Sequence, residues 1–123
     1  MPTQSKKILI CDDEEGIRES LKLILSDHYD LIAVDSGEQC LKCLEDDKNI
    51  GLVLLDIKMP KINGLEALKS IKEKNSNLGV IMITGYKSVE TASEAAALGA
   101  SGYIVKPFKS DEILESVGKN IER

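Results

Sequence analysis

Tryptophan is absent from this chain, and aromatic residues make up only 3% of it, three tyrosines and one phenylalanine in 123 residues. So little ring surface argues against a site that stacks a flavin. Histidine occurs once, as His28, which leaves a structural zinc site short of ligands. Cysteine occurs three times, as Cys11, Cys40 and Cys43. An odd number of thiols in a chain with no secretory features argues against a disulfide framework. Cys40 and Cys43 are spaced C-x-x-C, but they fall in mid-helix rather than after a strand, so they are read as small hydrophobes. No apolar run approaches the roughly 20 residues that span a bilayer. The stretch Met1-Pro2-Thr3-Gln4-Ser5-Lys6-Lys7 lacks the apolar core of a signal peptide, because Ile8 onward soon meets Asp12. Excess positive charge is missing too: the net charge of -5 argues against direct nucleic-acid binding by this chain. These absences leave a cytoplasmic globular protein with no membrane association. Its 123 residues suit one domain, 1–123, with a core of two or three layers. The chain finishes at Arg123, where a fifth helix should finish, so no output domain is expected within it.

Five short apolar runs alternate with amphipathic segments, the pattern of βα units on a parallel sheet. The runs are Lys7–Cys11, Leu31–Val34, Leu52–Leu55, Val80–Ile83 and Tyr103–Val105. They are nearly continuous in Ile, Leu and Val, which predicts strands covered on both faces. Between them, Ile17, Leu21, Ile24 and Leu25 form one helical stripe, and Cys40, Leu41 and Leu44 form a second. Leu65, Leu68 and Ile71 carry a third after Asn63-Gly64, and an Ala-rich fourth runs from Val89 to Leu98 and stops at Gly99. The fifth begins at a Ser110 cap, with Asp111 and Glu112 in its first turn and Ile113, Leu114, Val117 and Ile121 on one side. Right-handed crossovers with helices on both faces favour an α/β doubly wound sheet of order 2-1-3-4-5.

That order makes the first and third strands neighbours across the switch point, where ligands collect beyond the strand C-termini. Asp12-Asp13 and Asp56 stand at those two ends. The fourth run ends at Thr84-Gly85 and the fifth at Lys106-Pro107. Three converging carboxylates repel one another, and a hard divalent cation relieves this. Asp13 and Asp56 suit direct ligation, Asp12 ligation through water, and the Lys58 main-chain carbonyl a further ligand. An all-oxygen site suits Mg2+, with Mn2+ as the alternative, better than zinc. Asp56 is then placed to attack phosphorus and form an acyl phosphate. The metal, the Lys106 ammonium and the Thr84 hydroxyl would each take one equatorial oxygen.

Each residue taken singly has a plainer use. Asp12 or Asp13 serves equally well as a cap of the first helix, with Glu14 and Glu15 favouring its dipole. Asp56 suits an Asx turn, Thr84-Gly85 an ordinary turn, and Lys106 a solvated surface. None of these uses explains why four strand ends supply one complementary set.

With these residues in place, the chain resembles a response-regulator receiver domain of the two-component family over nearly its whole length. The likeness is carried by Ile8-Leu9-Ile10-Cys11-Asp12-Asp13-Glu14, by Leu54-Leu55-Asp56-Ile57-Lys58-Met59-Pro60 with Asn63-Gly64, by Ile83-Thr84-Gly85, and by Gly102-Tyr103-Ile104-Val105-Lys106-Pro107-Phe108. The resemblance implies a flavodoxin-like three-layer (βα)5 sandwich acting as a switch rather than an enzyme. Asp56 would accept a phosphoryl group from a sensor histidine kinase or histidine phosphotransfer protein. Thr84 and Tyr103 would be the moving switch residues. A downstream effector or output domain would bind the face made by the fourth helix, fifth strand and fifth helix. The resemblance also implies a cis Lys106-Pro107 bond, and phosphoryl-lifetime roles for Lys58 and Tyr86.

Two other classes fit less well. A phosphatase with a carboxylate nucleophile of the haloacid-dehalogenase type would want a second acid where Lys58 stands in Asp56-Ile57-Lys58. A flavodoxin-type electron carrier needs a phosphate-binding loop after the first strand, and Asp12-Asp13-Glu14-Glu15 would repel that phosphate.

Overall fold

The computed structural model describes residues 6–121. The features expected of Met1–Ser5 and of Arg123 lie outside that range. Five strands alternate with five helices: β1 (Lys7–Cys11), α1 (Glu15–Leu25), β2 (Asp30–Val34), α2 (Gly37–Asp46), β3 (Ile50–Leu55), α3 (Gly64–Lys74), β4 (Gly79–Thr84), α4 (Val89–Ala97), β5 (Gly102–Val105) and α5 (Ser110–Asn120). All strand pairs are parallel, and the sheet order is β2-β1-β3-β4-β5, as the right-handed connection rule predicts.

The period-2 geometry of a strand divides the core. Leu52 and Leu54 of β3 point to one face, where Leu21 and Leu25 of α1 and Ile113 and Val117 of α5 cover them. Val53 and Leu55 point to the other, under Cys40 and Leu44 of α2, Leu68 and Ile71 of α3, and Ala95 of α4. Every residue of β3 and β4 is buried. The expectation of full cover fails at the edges: Leu31 to Val34 of β2 are only half-buried, and so are Tyr103 and Val105 of β5. An edge strand has a neighbour on one side only, so its flank stays partly wet.

Local chemistry fixes where the helices start and stop. Asn63 caps α3 in a reciprocal box, its Oδ1 accepting from the Glu66 amide at 2.9 Å while Glu66 Oε1 accepts from the Asn63 amide at 3.0 Å. Ser88 Oγ accepts from the amides of Glu90 and Thr91 at the start of α4. That helix ends at Ala97 with Leu98 as its cap, and Gly99 follows at φ +102°, a left-handed turn that a side chain would strain. The expected Ser110 cap is corrected: Ser110 is the first helical residue, and Lys109 occupies the cap position. There Glu112 Oε1 reaches back to the Lys109 amide at 3.3 Å, which is the N3 half of a capping box rather than a serine cap.

Candidate functional site

Backbone hydrogen bonds carry the sheet one residue past its strands and so fix the site. The Asp12 amide donates to the Val34 carbonyl at 3.2 Å, that of Asp56 to Cys11 at 3.0 Å, and that of Lys106 to Thr84 at 2.8 Å. The Lys106-Pro107 bond is cis. Among the described residues, the buried polar or charged ones are Asp12, Asp56 and Thr84, and all three belong to this cluster. Burial of polar groups is concentrated where the sequence placed its chemistry.

Lys106 is the hub. Its Nζ lies 3.0 Å from Asp12 Oδ2, 3.0 Å from Glu14 Oε1 and 3.4 Å from Asp56 Oδ2. An ammonium has three protons, so these acceptors occupy them all. Asp12 also accepts from the Glu14 amide through Oδ1 at 2.9 Å, an Asx turn, while the Arg18 guanidinium donates to the Asp12 carbonyl at 2.8 Å. The capping use considered for the acidic pair is therefore met in part. Asp12 shapes the turn into α1, but the cap residue itself is Glu14, without a side-chain cap bond. Asp56 accepts from Lys106 at 3.4 Å, and the Thr84 hydroxyl and Lys58 amide nearby favour its charged form.

Burial pushes the Asp56 carboxyl above the usual carboxylate range, against the opposing pull of Lys106, Thr84 and Lys58. Asp12 is raised in the same way, its burial outweighing the Glu14 amide and Lys106. Burial alone would lower Lys106, but its carboxylate partners raise it overall. The cluster holds more negative charge than one ammonium neutralises. One oxygen from each of Asp12, Asp13 and Asp56 falls within 4.8 Å of the others, a hard all-oxygen donor set that fits Mg2+ or Mn2+. Asp13 is exposed and stands on the solvent side. An open cleft of about 350 Å3 leads to the carboxylates, lined by Asp13, Glu14, Asp56, Lys58, Gly85 and Lys106.

Asp12, Asp13, Asp56, Thr84 and Lys106 are thus brought together, with Lys58 on the wall. Tyr86 is 44% exposed and does not line the cleft. Its amide donates to Thr84 Oγ1 at 3.4 Å, and its carbonyl accepts from the Tyr103 hydroxyl at 2.9 Å. Thr84 already faces Asp56, and the half-buried Tyr103 is tied to the loop that follows Thr84.

Three contributors escaped the sequence. Glu14 was read as a helix-dipole charge, yet it is a direct Lys106 partner. Gly64 was read only as part of the α3 start. A Cβ there would sit 2.0 Å from the Asp56 carbonyl oxygen and 2.6 Å from Ile57 Cα, so the loop after Asp56 closes only over glycine. Cys11 is buried and donates to the Ser36 carbonyl at 3.3 Å, with Met59 Sδ at 3.6 Å, which locks the β1 end to the loop before α2. For Glu14 a signal existed, its place directly after the acidic pair. Nothing in the spacing marks the other two.

Known proteins resemble this chain in sequence and fold. The family model of the response regulator receiver domain matches residues 8–118. The sporulation initiation phosphotransferase F of Bacillus subtilis is 37% identical over 116 residues, covering 94% of this chain and 93% of that protein. The regulatory protein AtoC of Escherichia coli is 37% identical over 112 residues, covering 90% of this chain and 24% of AtoC, so the chain spans about a quarter of that relative's length. The response regulator protein TrrA of Thermotoga maritima, solved in complex with Mg(2+)-BeF, superposes with a TM-score of 0.85 at 38% identity, covering 94% of this chain and 99% of TrrA.

Proposed function

The chain belongs to the response regulator receiver domain family of two-component systems, and on that premise we propose that it is a phosphorylation-activated signalling switch whose phosphoacceptor is Asp56. The observation that carries this reading is the Lys106 ammonium held by buried Asp12 and Asp56 beside three carboxylate oxygens within 4.8 Å of one another. Structural ion pairs do not need that surplus of acid.

The donor is a phosphohistidine of a sensor histidine kinase or histidine phosphotransfer protein. Asp56 Oδ forms the new O–P bond as the N–P bond to the histidine breaks, and the electron pair leaves with the imidazole. Asp12, Asp13, Asp56 and the Lys58 carbonyl would hold Mg2+ or Mn2+, which when bound supplies positive charge against the carboxylates and one phosphoryl oxygen. Lys106 balances a second oxygen and the Thr84 hydroxyl donates to a third. The acyl phosphate adds charge and three acceptors where a single carboxylate stood. Thr84 and Tyr103 carry that change outward, through the loop that Tyr86 shares with both, to the α4–β5–α5 face where an effector or output domain binds. The chain acts as a switch and not as an enzyme on a separate substrate.

The proposed setting is the cytoplasm, with one receiver domain over 1–123. No helix among the described residues is long and apolar enough to cross a membrane. Coverage of nearly all of the B. subtilis relative and a quarter of AtoC supports two settings, a free-standing relay protein and the receiver portion of a transcriptional regulator.

Lys58 and Tyr86 are proposed to set the phosphoryl lifetime, Lys58 from the cleft wall and Tyr86 by shielding after a loop movement. Hydrolysis unchanged in both Lys58→Ala and Tyr86→Ala would remove that assignment. The reading as a whole is tested by intact-mass spectrometry after incubation with acetyl phosphate, with and without Mg2+. One phosphoryl group should be gained only with metal, and none by Asp56→Asn. Equal labelling of that variant would overturn it.

A further inference from the structure

The three protons of Lys106 are all engaged before any phosphoryl group arrives, by Asp12 Oδ2 at 3.0 Å, Glu14 Oε1 at 3.0 Å and Asp56 Oδ2 at 3.4 Å. A phosphoryl oxygen that pairs with this ammonium must displace one of them. The three are not equally able to leave. The Asp12 and Asp56 side chains are 3% and 4% exposed, so in the metal-free chain releasing either strands a charge where water cannot replace the lysine. The Glu14 side chain is 64% exposed and hydrates freely once released. Asp12 is further pinned through Oδ1 by the Glu14 amide at 2.9 Å, and Asp56 is fixed at the end of β3 by its own amide, which donates to the Cys11 carbonyl at 3.0 Å. Glu14 has no such second tie, since as the α1 cap residue it makes no side-chain cap bond. It also lines the open cleft, the side from which a donor must approach.

We infer that Glu14 is a placeholder for the incoming phosphoryl group: its carboxylate holds Lys106 in the unmodified chain, occupies the donor that a phosphoryl oxygen later takes, and gives way to it. Glu14 is therefore a positioning residue, acting through Lys106 and opposing phosphorylation. It keeps the lysine from closing fully onto Asp56, whose 3.4 Å separation is the longest of the three. The inference rests on Asp56 being the phosphoacceptor.

The test uses the chain with beryllofluoride and Mg2+, a non-transferring mimic of the acyl phosphate, read as a dissociation constant by 19F NMR. Acetyl phosphate labelling rates by intact mass give a second readout. Glu14→Gln removes the placeholder's charge and should tighten beryllofluoride binding about two- to fivefold, the span expected for losing one competing ion pair at an exposed carboxylate. Glu14→Asp keeps the charge but withdraws it by one C–C bond, about 1.5 Å. It should behave like Glu14→Gln, which a purely long-range charge effect would not allow. Glu15→Gln, the same charge change one residue on, should leave binding unchanged. The inference is overturned if Glu14→Gln binds no tighter, if Glu14→Asp matches the unaltered chain, or if Glu15→Gln gives the same gain. Failure of the unaltered chain to bind beryllofluoride at all would instead overturn the phosphoacceptor reading, and this inference with it.

Discussion

Replacing Asp56 by Asn should stabilise the metal-free protein, because burial makes the carboxylate costly to the fold. Asp56 is 3% exposed, and enclosing a carboxylate to that degree costs several kcal/mol even after relaxation. Its repulsion from Asp12, with oxygens within 4.8 Å, adds about 3 kcal/mol at an effective dielectric near 20. Lys106 at 3.4 Å returns about 5 kcal/mol on the same scale. The balance is a net cost on the order of 1 to 3 kcal/mol, in line with a carboxyl held above its ordinary range by burial. Asn is nearly isosteric. Its oxygen can still accept from Lys106, and its amide can donate to Asp12. For a domain of this size that corresponds to a rise in Tm of about 5 to 10 °C, measured by calorimetry in chelator. Mg2+ should narrow the gap, because a ligand that binds only the folded state stabilises the unaltered chain more than a variant lacking one of its carboxylates. The reasoning is refuted if the Asn variant melts at or below the unaltered chain without metal, or if Mg2+ raises both equally.

The same comparison has a pH dependence of fixed sign. Folding raises Asp56 above its reference value of 3.8, so the folded chain binds the extra proton in the interval above that value. Stability from the protonated form is lost as pH rises through the interval, and the advantage of Asn should vanish as pH falls through it, which melts from pH 7 down to 4 would show. Gly64→Ala should destabilise by about 2 to 3 kcal/mol or more and slow acetyl phosphate labelling, because its Cβ would meet the Asp56 carbonyl oxygen at 2.0 Å. Gly118→Ala, in the interior of α5 with open space around the new carbon, should instead gain about 0.5 to 1 kcal/mol in denaturant titration. Tyr103→Phe loses the 2.9 Å bond to the Tyr86 carbonyl and should cost about 0.5 kcal/mol. Amide exchange should rise in residues 85–88, and unchanged exchange there would show that the bond does not restrain the loop.

The parts of the fold that were legible are those set by patterns within one segment. Apolar runs with a strand's length and segments with a helix's period gave ten elements in the right order, and right-handed connections with helices on both faces favoured the observed sheet order. Asp12, Asp56, Thr84 and Lys106 could be found because strand ends are positions that a sequence marks. What was hidden depends on three-dimensional approach. Lys106 and Glu14 are 92 residues apart, and only the reach of the Lys106 side chain from the end of β5 back across the sheet's strand ends reveals that they meet. Gly64 looks like any helix-start glycine until the Asp56 carbonyl is placed beneath it. The half-wet β2 reads like a core strand because its composition reflects one covered face and says nothing of the missing neighbour. The Ser110 cap was misplaced by one residue because the helix begins at Ser110, and Glu112 closes its start by accepting from the Lys109 amide outside it, a bond that depends on Glu112 and not on the serine.

The most direct test of the account is to locate the phosphoryl group chemically. After labelling with acetyl phosphate and Mg2+, borohydride reduction converts an aspartyl phosphate to homoserine, which tandem mass spectrometry assigns to a residue. The account predicts homoserine at position 56 and at no other acidic residue, with none formed when metal is chelated. Homoserine at position 12 or 13, or equal yield without metal, would contradict it.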